Sequence, residues 1–387
     1  MEIDKGAVWI KFNIMESFIK DAFIGIGVPK KDAAICAKVL IDADKSGFDS
    51  HGISRMKTIY YDRIKQGIQF PKTKFEIIKE TAGTAVIDGH HGMGHVIGER
   101  AMKLAIKKAK KCGIGMTVVR NSTHYGTAGY HALLAEKAGM IGITGTNARP
   151  SVAPTFGTEN MLGTNPITFA MPTNEKFPFL LDCATSITQR GKIEIAAKMG
   201  KKCPKGWIID TKGKEETDSK KILNSLVNGT SAFLPLGGAG EDLGGYKGYG
   251  YCTVVEILSA ALQQGSYLKM LTGIKNGKKV PYCLGHFFIA INISAFTNIK
   301  FFNKIIGDIL KQLRNSKKMP GQKRIYTAGE KEYLTWLKRK NKGVPVNKGT
   351  QKEVLIIQKE LGLKKYKFPF KDAKTTEVQH KKKRKNR

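Results

Sequence analysis

Long apolar runs are missing from this 387-residue chain. The longest, around Phe287 to Phe296, is interrupted by Asn292 and Ser294. It falls short of the ~18 uninterrupted residues that a spanning helix needs, so no membrane span is expected. The opening Met1-Glu2-Ile3-Asp4-Lys5 has no basic stretch followed by an apolar one. No secretory leader is therefore expected, and the chain reads as cytoplasmic. Cysteine pairs are missing as well. Cys36, Cys112, Cys183, Cys203, Cys252 and Cys283 form no CxxC unit, which suits reduced thiols and gives no zinc signal. Acid is scarce. Against 66 Lys+Arg stand 32 Asp+Glu, a formal net charge of +34. Such a balance raises nucleic-acid or membrane-surface binding as an alternative function. The lysines are dispersed, however, mostly between apolar residues at helical spacing as in Lys103 to Lys111, and no basic motif is flanked by aromatics. A solvated, lysine-rich surface is the simpler reading. Only Lys381-Lys382-Lys383-Arg384-Lys385-Asn386-Arg387 departs from it, a tail too charged to pack that reads equally as a nuclear address, an RNA-contacting arm or a solubilising end.

The remaining composition, 41% apolar and 9% aromatic, describes a globular protein long enough to bury a sizeable core. Residues 13–46 follow a helical period, broken at Gly25-Ile26-Gly27-Val28-Pro29, and Pro29 is placed to open a second helix. From about residue 75 the pattern is mixed. It predicts strands over 74–78, 84–88, 116–119, 142–146 and 287–293, with helices over 95–111, 300–315, 329–340 and 350–361. The fold class expected is α/β of the mixed α+β kind, without internal repeats.

Asp49-Ser50-His51-Gly52-Ile53-Ser54-Arg55 is the most informative segment. Arg55 can grip a carboxylate through two parallel hydrogen bonds, His51 titrates near neutrality, and Ser50 can orient the imidazole. If the segment is helical, positions 51 and 55 share a face; an ordinary solvated helix surface would look the same. His124 lies just past a predicted strand, among the small residues of Asn121-Ser122-Thr123-His124-Tyr125-Gly126-Thr127-Ala128-Gly129, where backbone can approach a ligand. A capped turn with a surface histidine is the plain alternative. Gly163-Thr164-Asn165-Pro166 and Leu181-Asp182-Cys183-Ala184-Thr185-Ser186 each join apolar residues to small polar ones. Gly244-Gly245-Tyr246-Lys247-Gly248 leads into a helix, a setting that suits phosphate. By contrast, Gly92-Met93-Gly94-His95-Val96-Ile97-Gly98 only imitates a dinucleotide-binding turn. Its spacing is GxGxxxG, and the next strand ends at Arg120 with no acidic residue to read a ribose. His90, His91 and His95 have no cysteine or carboxylate at a supporting spacing, so no metal site is expected.

Taken together, these segments resemble the type 2 malate/L-lactate dehydrogenase family, which also holds sulfolactate and ureidoglycolate dehydrogenases and some cyclic imine reductases. Matches run from about residue 10 to 370. They include Ser50-His51-Gly52 with Arg55, His124-Tyr125-Gly126, Leu162 to Pro166, Asp182 to Ser186, Arg190-Gly191-Lys192, Lys247-Gly248-Tyr249-Gly250 and Gly285-His286-Phe287-Phe288. Gly237-Gly238-Ala239-Gly240-Glu241 and Tyr326-Thr327-Ala328-Gly329-Glu330 are closest to archaeal malate and sulfolactate members. The resemblance implies NAD- or NADP-linked interconversion of a 2-oxo and a 2-hydroxy acid, malate foremost, on a non-Rossmann cofactor domain. It also implies a homodimer with an active site shared between subunits. Arg55 and Thr164 are then expected to bind substrate. His124, Tyr125, Gly126, Thr127, Ala128, Asp182, Cys183, Ala184, Lys247 and Gly248 are expected to line the cofactor. Proton transfer is divided within the family between the histidines matching His51 and His124; His51, with Ser50 and Arg55 around it, is preferred here.

The implied organisation is a helical part of the dimerisation and substrate domain over 1–74 and a cofactor- and substrate-binding domain over 75–299. A C-terminal helical part over 300–374 is expected to pack on the N-terminal domain, with a disordered basic tail over 375–387. Three departures stand out: Lys192 where imine reductases carry an acid, Cys183 in place of methionine, and Gln263-Gln264-Gly265-Ser266-Tyr267 in place of a Gly-rich stretch. The last could alter a cofactor lid, and an inactive family member is the alternative it raises.

Overall fold

A computed structural model describes residue 3 and residues 6–370 of the chain, so the basic tail lies outside the described residues. Both N-terminal helices form as the sequence predicts, over Phe12–Gly25 and Lys30–Ser46. Pro29 sits one residue earlier than expected, at the cap position of the second helix. Phe18, Ile19, Ala22 and Phe23 of the first helix meet Cys36, Ala37, Leu40 and Ile41 of the second. The same core takes in Val344, Val346, Val354, Ile357 and Tyr366 from the far end of the chain. Strand Val8–Ile10 pairs antiparallel with Val344–Val346, so the two ends of the chain are joined by hydrogen bonds as well as by apolar burial.

The centre is a seven-stranded mixed sheet. In spatial order its strands are Glu76–Glu80, Thr84–Asp88, Ile114–Ser122, Leu284–Asn292, Met140–Thr146, Ile167–Met171 and Phe179–Cys183. Only Thr84–Asp88 and Ile114–Ser122 run parallel. That topology is incompatible with a doubly wound parallel sheet and agrees with the non-Rossmann reading. Helix Gly94–Cys112 packs on it through Ile97, Ala101, Met102, Ala105 and Ala109. The glycine pattern that imitates a dinucleotide turn serves this packing, since a Cβ on Gly94 would overlap the Thr123 and His124 carbonyls. Beyond the sheet, a smaller lobe is built around Ile193, Ile208, Ile222, Phe233 and Cys252. Helix Ile299–Asn315 rests against the loop at Asn174 and Glu175, where Arg314 pairs with Glu175. Among the described residues no helix is long and apolar enough to cross a membrane.

Three histidines are sealed inside the sheet–helix layer. Burial pushes His95 and His286 down to about 3 and His131 to about 4, with His131 itself further depressing the other two. These rings are neutral in the folded protein, whereas in the unfolded chain they protonate near pH ~6.5. Their contribution to stability is thus fully present above that pH and lost as pH falls towards about 4. Thermal denaturation should show a falling Tm between roughly pH 6.5 and pH 4. Substituting phenylalanine for His95 should flatten that slope.

Candidate active site

The Ser50-His51 segment is not helical. Helix Lys30–Ser46 stops at Gly47, whose φ of 87° caps it, and the chain then makes a turn before a short 3-10 segment over Ile53–Arg55. His51 lies in the turn, its N–H donating to the Phe48 carbonyl at 2.7 Å. The turn is held from beneath by Asp44, whose Oδ2 accepts the Ile53 N–H at 2.9 Å. Gly52 is required there because a Cβ would overlap the Asp44 carboxylate. Burial holds the Asp44 carboxyl well above the usual range, and the Ile53 N–H only partly offsets this. From outside, Arg339 at the end of helix Glu330–Arg339 forks onto Asp49. Its Nη1 donates to Oδ1 at 2.5 Å and its Nη2 to Oδ2 at 2.9 Å, while Nη1 also reaches the Asp44 carbonyl at 2.6 Å.

Within this clamped turn Ser50 Oγ stands 2.9 Å from His51 Nδ1, the orienting contact expected of it. Arg55 donates Nε to the Ser50 carbonyl at 2.5 Å, which leaves its two Nη groups for a carboxylate. Gly191 closes one side, with its Cβ direction 3.3 Å from Ser50 Cβ and 3.6 Å from Arg55 Nη2. Helix Arg190–Lys198 therefore starts beside the two.

His124 is brought to the same place from the sheet. It follows strand Ile114–Ser122, and its ring stacks on His51 with centroids 5.7 Å apart and 25° between planes. The surface histidine considered from sequence is instead one half of an imidazole pair. Tyr60 Oη lies 2.6 Å from His124 Nδ1, and the Gly126 N–H donates to the same nitrogen at 3.3 Å. A backbone N–H only donates, so Nδ1 accepts and the neutral ring carries its proton on Nε2. Burial, then Arg55, pushes His51 down to about 4. Burial pushes His124 well below the ordinary value, aided by His51 and Arg63. Tyr60 escaped the sequence reading. It lies on a π-helical stretch, Met56–Tyr61, whose extra residue per turn leaves no periodic trace, although such bulges are frequent at functional sites.

The expected cofactor segments also meet. Asp182, near the end of strand Phe179–Cys183, accepts the Gly129 N–H at 2.7 Å and the Thr168 hydroxyl at 3.0 Å. It thereby ties Asp182-Cys183-Ala184 to the start of helix Ala128–Glu136, next to Tyr125, Gly126 and Thr127. Burial raises the Asp182 carboxyl, against the pull of those two donors. Thr164 is fixed by its carbonyl, which accepts the Thr185 N–H at 3.1 Å. Lys247 is exposed in the first turn of helix Gly245–Ala260, with Nζ 5.6 Å from the Tyr246 ring centre. Gly248 seats that helix directly on the Leu236 backbone. In the stretch Gln263 to Tyr267, Gln263 is buried and donates to the Val119 carbonyl at 3.2 Å, while Gln264 and Tyr267 are exposed. His90 contacts Glu76 at 2.6 Å and His95 packs on the Tyr60 ring. Among the described residues no cluster of three His, Cys, Asp or Glu side chains could hold a metal. An apolar cleft of about 460 Å³ lies between Pro154, Leu162, Tyr249, Ile257 and Tyr267, and neither histidine of the pair lines it.

A non-Rossmann sheet is what the resemblance led us to expect, and comparison with known proteins decides the matter. The sequence pattern of malate/L-lactate dehydrogenases matches residues 10–355. The chain belongs to this family. It is 43% identical to a malate dehydrogenase of Pyrococcus abyssi over 362 residues, 94% of this chain and 97% of that one. It is 40% identical to an L-sulfolactate dehydrogenase of Methanocaldococcus jannaschii over 350 residues, 90% and 96% of the two chains. The crystal structure of a malate dehydrogenase from Entamoeba histolytica superposes with a TM-score of 0.90 at 44% identity, covering 94% of this chain and all of that one. The protein is accordingly a 2-hydroxy acid dehydrogenase, and family membership implies a nicotinamide cofactor.

The clamp on the site can be tested apart from the chemistry. Arg339→Met should cost about 3 kcal/mol in urea unfolding, because it strands Asp49 and the Asp44 carbonyl. It should also lower kcat/KM by loosening the His51 turn. Arg339→Lys should recover little, since an ammonium cannot reproduce the fork.

Proposed function

We propose that the protein interconverts malate and oxaloacetate with NAD or NADP at the His51–His124 pair, and that His51 transfers the proton. The observation that carries this reading is the pairing itself: each ring engages a hydroxyl through Nδ1, which leaves both Nε2 atoms for a substrate. Arg55, with its Nη groups uncommitted, holds the 2-oxo acid carboxylate and sets its carbonyl against the imidazoles. Thr164 adds a substrate contact. A bound nicotinamide supplies the hydride to the carbonyl carbon. The protonated His51 then gives its proton to the forming alkoxide oxygen, while Ser50 holds the ring and His124 faces it.

Residues 124–128 and 182–184 fit the cofactor because Asp182 has already joined them. Lys247 fits its phosphates, being exposed and without a carboxylate within ion-pair distance among the described residues. We further read residues 1–74 as the helical N-terminal part of the dimerisation and substrate domain, residues 75–299 as the cofactor- and substrate-binding domain, residues 300–374 as a C-terminal helical part belonging with the N-terminal domain, and the enzyme as a cytoplasmic homodimer. Tyr251, Val254, Ile257 and Leu262 support the dimer. They leave an apolar face open along helix Gly245–Ala260 and just beyond it, beside the apolar cleft, and a second copy would cover it.

Both histidines are held neutral in the free protein, so binding the acid requires proton uptake. The apparent KM for oxaloacetate should therefore rise as pH increases through neutrality. Arg55→Ala should raise KM sharply, and His51→Ala should mainly lower kcat, by ~100-fold or more. Steady-state rates of NADH and NADPH oxidation check both. An unchanged kcat in the His51 variant, with a loss in His124→Ala, would move the proton transfer to His124.

A further inference from the structure

Among the described residues, six of the nine arginines are paired with acid. Arg100, Arg120, Arg190, Arg314, Arg324 and Arg339 each meet a carboxylate. The remaining three, Arg55, Arg63 and Arg149, have no carboxylate within ion-pair distance. They are not scattered. Strand Leu284–Asn292 runs antiparallel to both of its neighbours, pairing Leu284 with Ser122 and His286 with Thr146. His124 and Arg149, just past the ends of those neighbours, and Tyr282, just before the central strand, therefore emerge at one end of the sheet. Arg63 is drawn to the same end, its guanidinium 4.2 Å from the centre of the Tyr282 ring. It stands one turn beyond Tyr60, which is bonded to His124. Arg63 is largely enclosed, and its charge is opposed first by burial and then by repulsion from Arg149 and Arg55, with the two tyrosines acting in its favour.

Three guanidiniums towards the end of the sheet that carries the imidazole pair are more positive charge than one carboxylate answers. In a chain already carrying +34, a cationic cluster without acid is unfavourable until an anion enters. We infer that Arg63 and Arg149 bind the second anionic group of the substrate, a carboxylate or a sulfonate on the carbon chain beyond the 2-oxo acid. Arg55 serves the first carboxylate. The two arginines thus select dianionic acids over monoanionic ones. The inference rests on the proposed placement of substrate at the His51–His124 pair. It adds to that placement the residues that set specificity.

The test compares kcat/KM of the full-length enzyme for oxaloacetate, sulfopyruvate and pyruvate, with the same cofactor throughout. Arg149→Gln is the first variant, because its side chain is exposed and its loss should leave folding intact. Arg63→Gln is the second, with Arg63→Lys as a partial rescue. Arg63→Gln should lower the ratio of dianion to pyruvate by ~30-fold or more, the usual effect of removing one partner of an enclosed charge pair, and Arg149→Gln, whose side chain is exposed, should lower it several-fold. A fall confined to oxaloacetate identifies a carboxylate, and one confined to sulfopyruvate a sulfonate; both support the inference. Arg55→Ala should depress all three acids together. Ratios that stay within about twofold of wild type in both glutamine variants overturn the specificity role and leave the dehydrogenase reading standing. Wild-type enzyme that turns over none of the three acids overturns that reading first, and the inference with it.

Discussion

The fork of Arg339 on Asp49 is the contact on which the site depends. It joins residues 290 positions apart, and it does so one residue before the serine and histidine proposed to face substrate. Without it, Asp49-Ser50-His51 is an irregular turn with few backbone bonds of its own, the kind of segment that samples many conformations. With it, and with Asp44 beneath Gly52, the turn is pinned from both sides. Two charge-assisted bonds in a fixed plane give direction as well as strength, and proton transfer needs direction. The C-terminal strand and helices thus matter to catalysis although none of their residues is proposed to touch the substrate.

The second constraint is electrostatic. An enclosed imidazole next to a guanidinium prefers to be neutral, and both site histidines are held so. An incoming anion reverses that preference by offsetting the guanidinium charge. Under the proposed mechanism, substrate binding and protonation of the acid group become a single event, so that the proton is present only when there is an oxygen to receive it. The dispersed lysines contribute at longer range, where a strongly positive surface draws anionic acids and cofactors towards the cleft.

Much of the fold was legible because its signals are periodic. The two N-terminal helices, the helix over Gly94–Cys112 and the central strands repeat at 3.6 or 2 residues and lie within a few positions of expectation. The false dinucleotide turn could be set aside on its spacing and on the missing acidic residue at the end of the next strand. What escaped was set by non-periodic contacts. The His51–Arg55 segment looked helical because its residues stand four apart, whereas Asp44 and Gly52 force a turn. Tyr60 was invisible because a π-helical stretch shifts the face on which it falls. The partnership of His51 with His124 joins a loop to a strand end 73 positions away, a distance that local pattern cannot span.

That partnership also explains why the sequence left the proton carrier undecided. Each histidine, read alone, had a credible claim: one had Ser50 and Arg55 nearby, the other stood at a strand end among small residues. The structure removes the need to choose between two sites, since there is one. What separates the rings is their support. His124 is fixed in a single tautomer by a backbone N–H and a tyrosine, while His51 is held by a serine hydroxyl that can either donate or accept. A ring locked as an Nε2–H donor suits holding a carbonyl oxygen in place. A ring whose partner can reverse its hydrogen bond suits gaining and losing a proton within the catalytic cycle. The division of labour proposed for the two histidines follows from that difference in their partners.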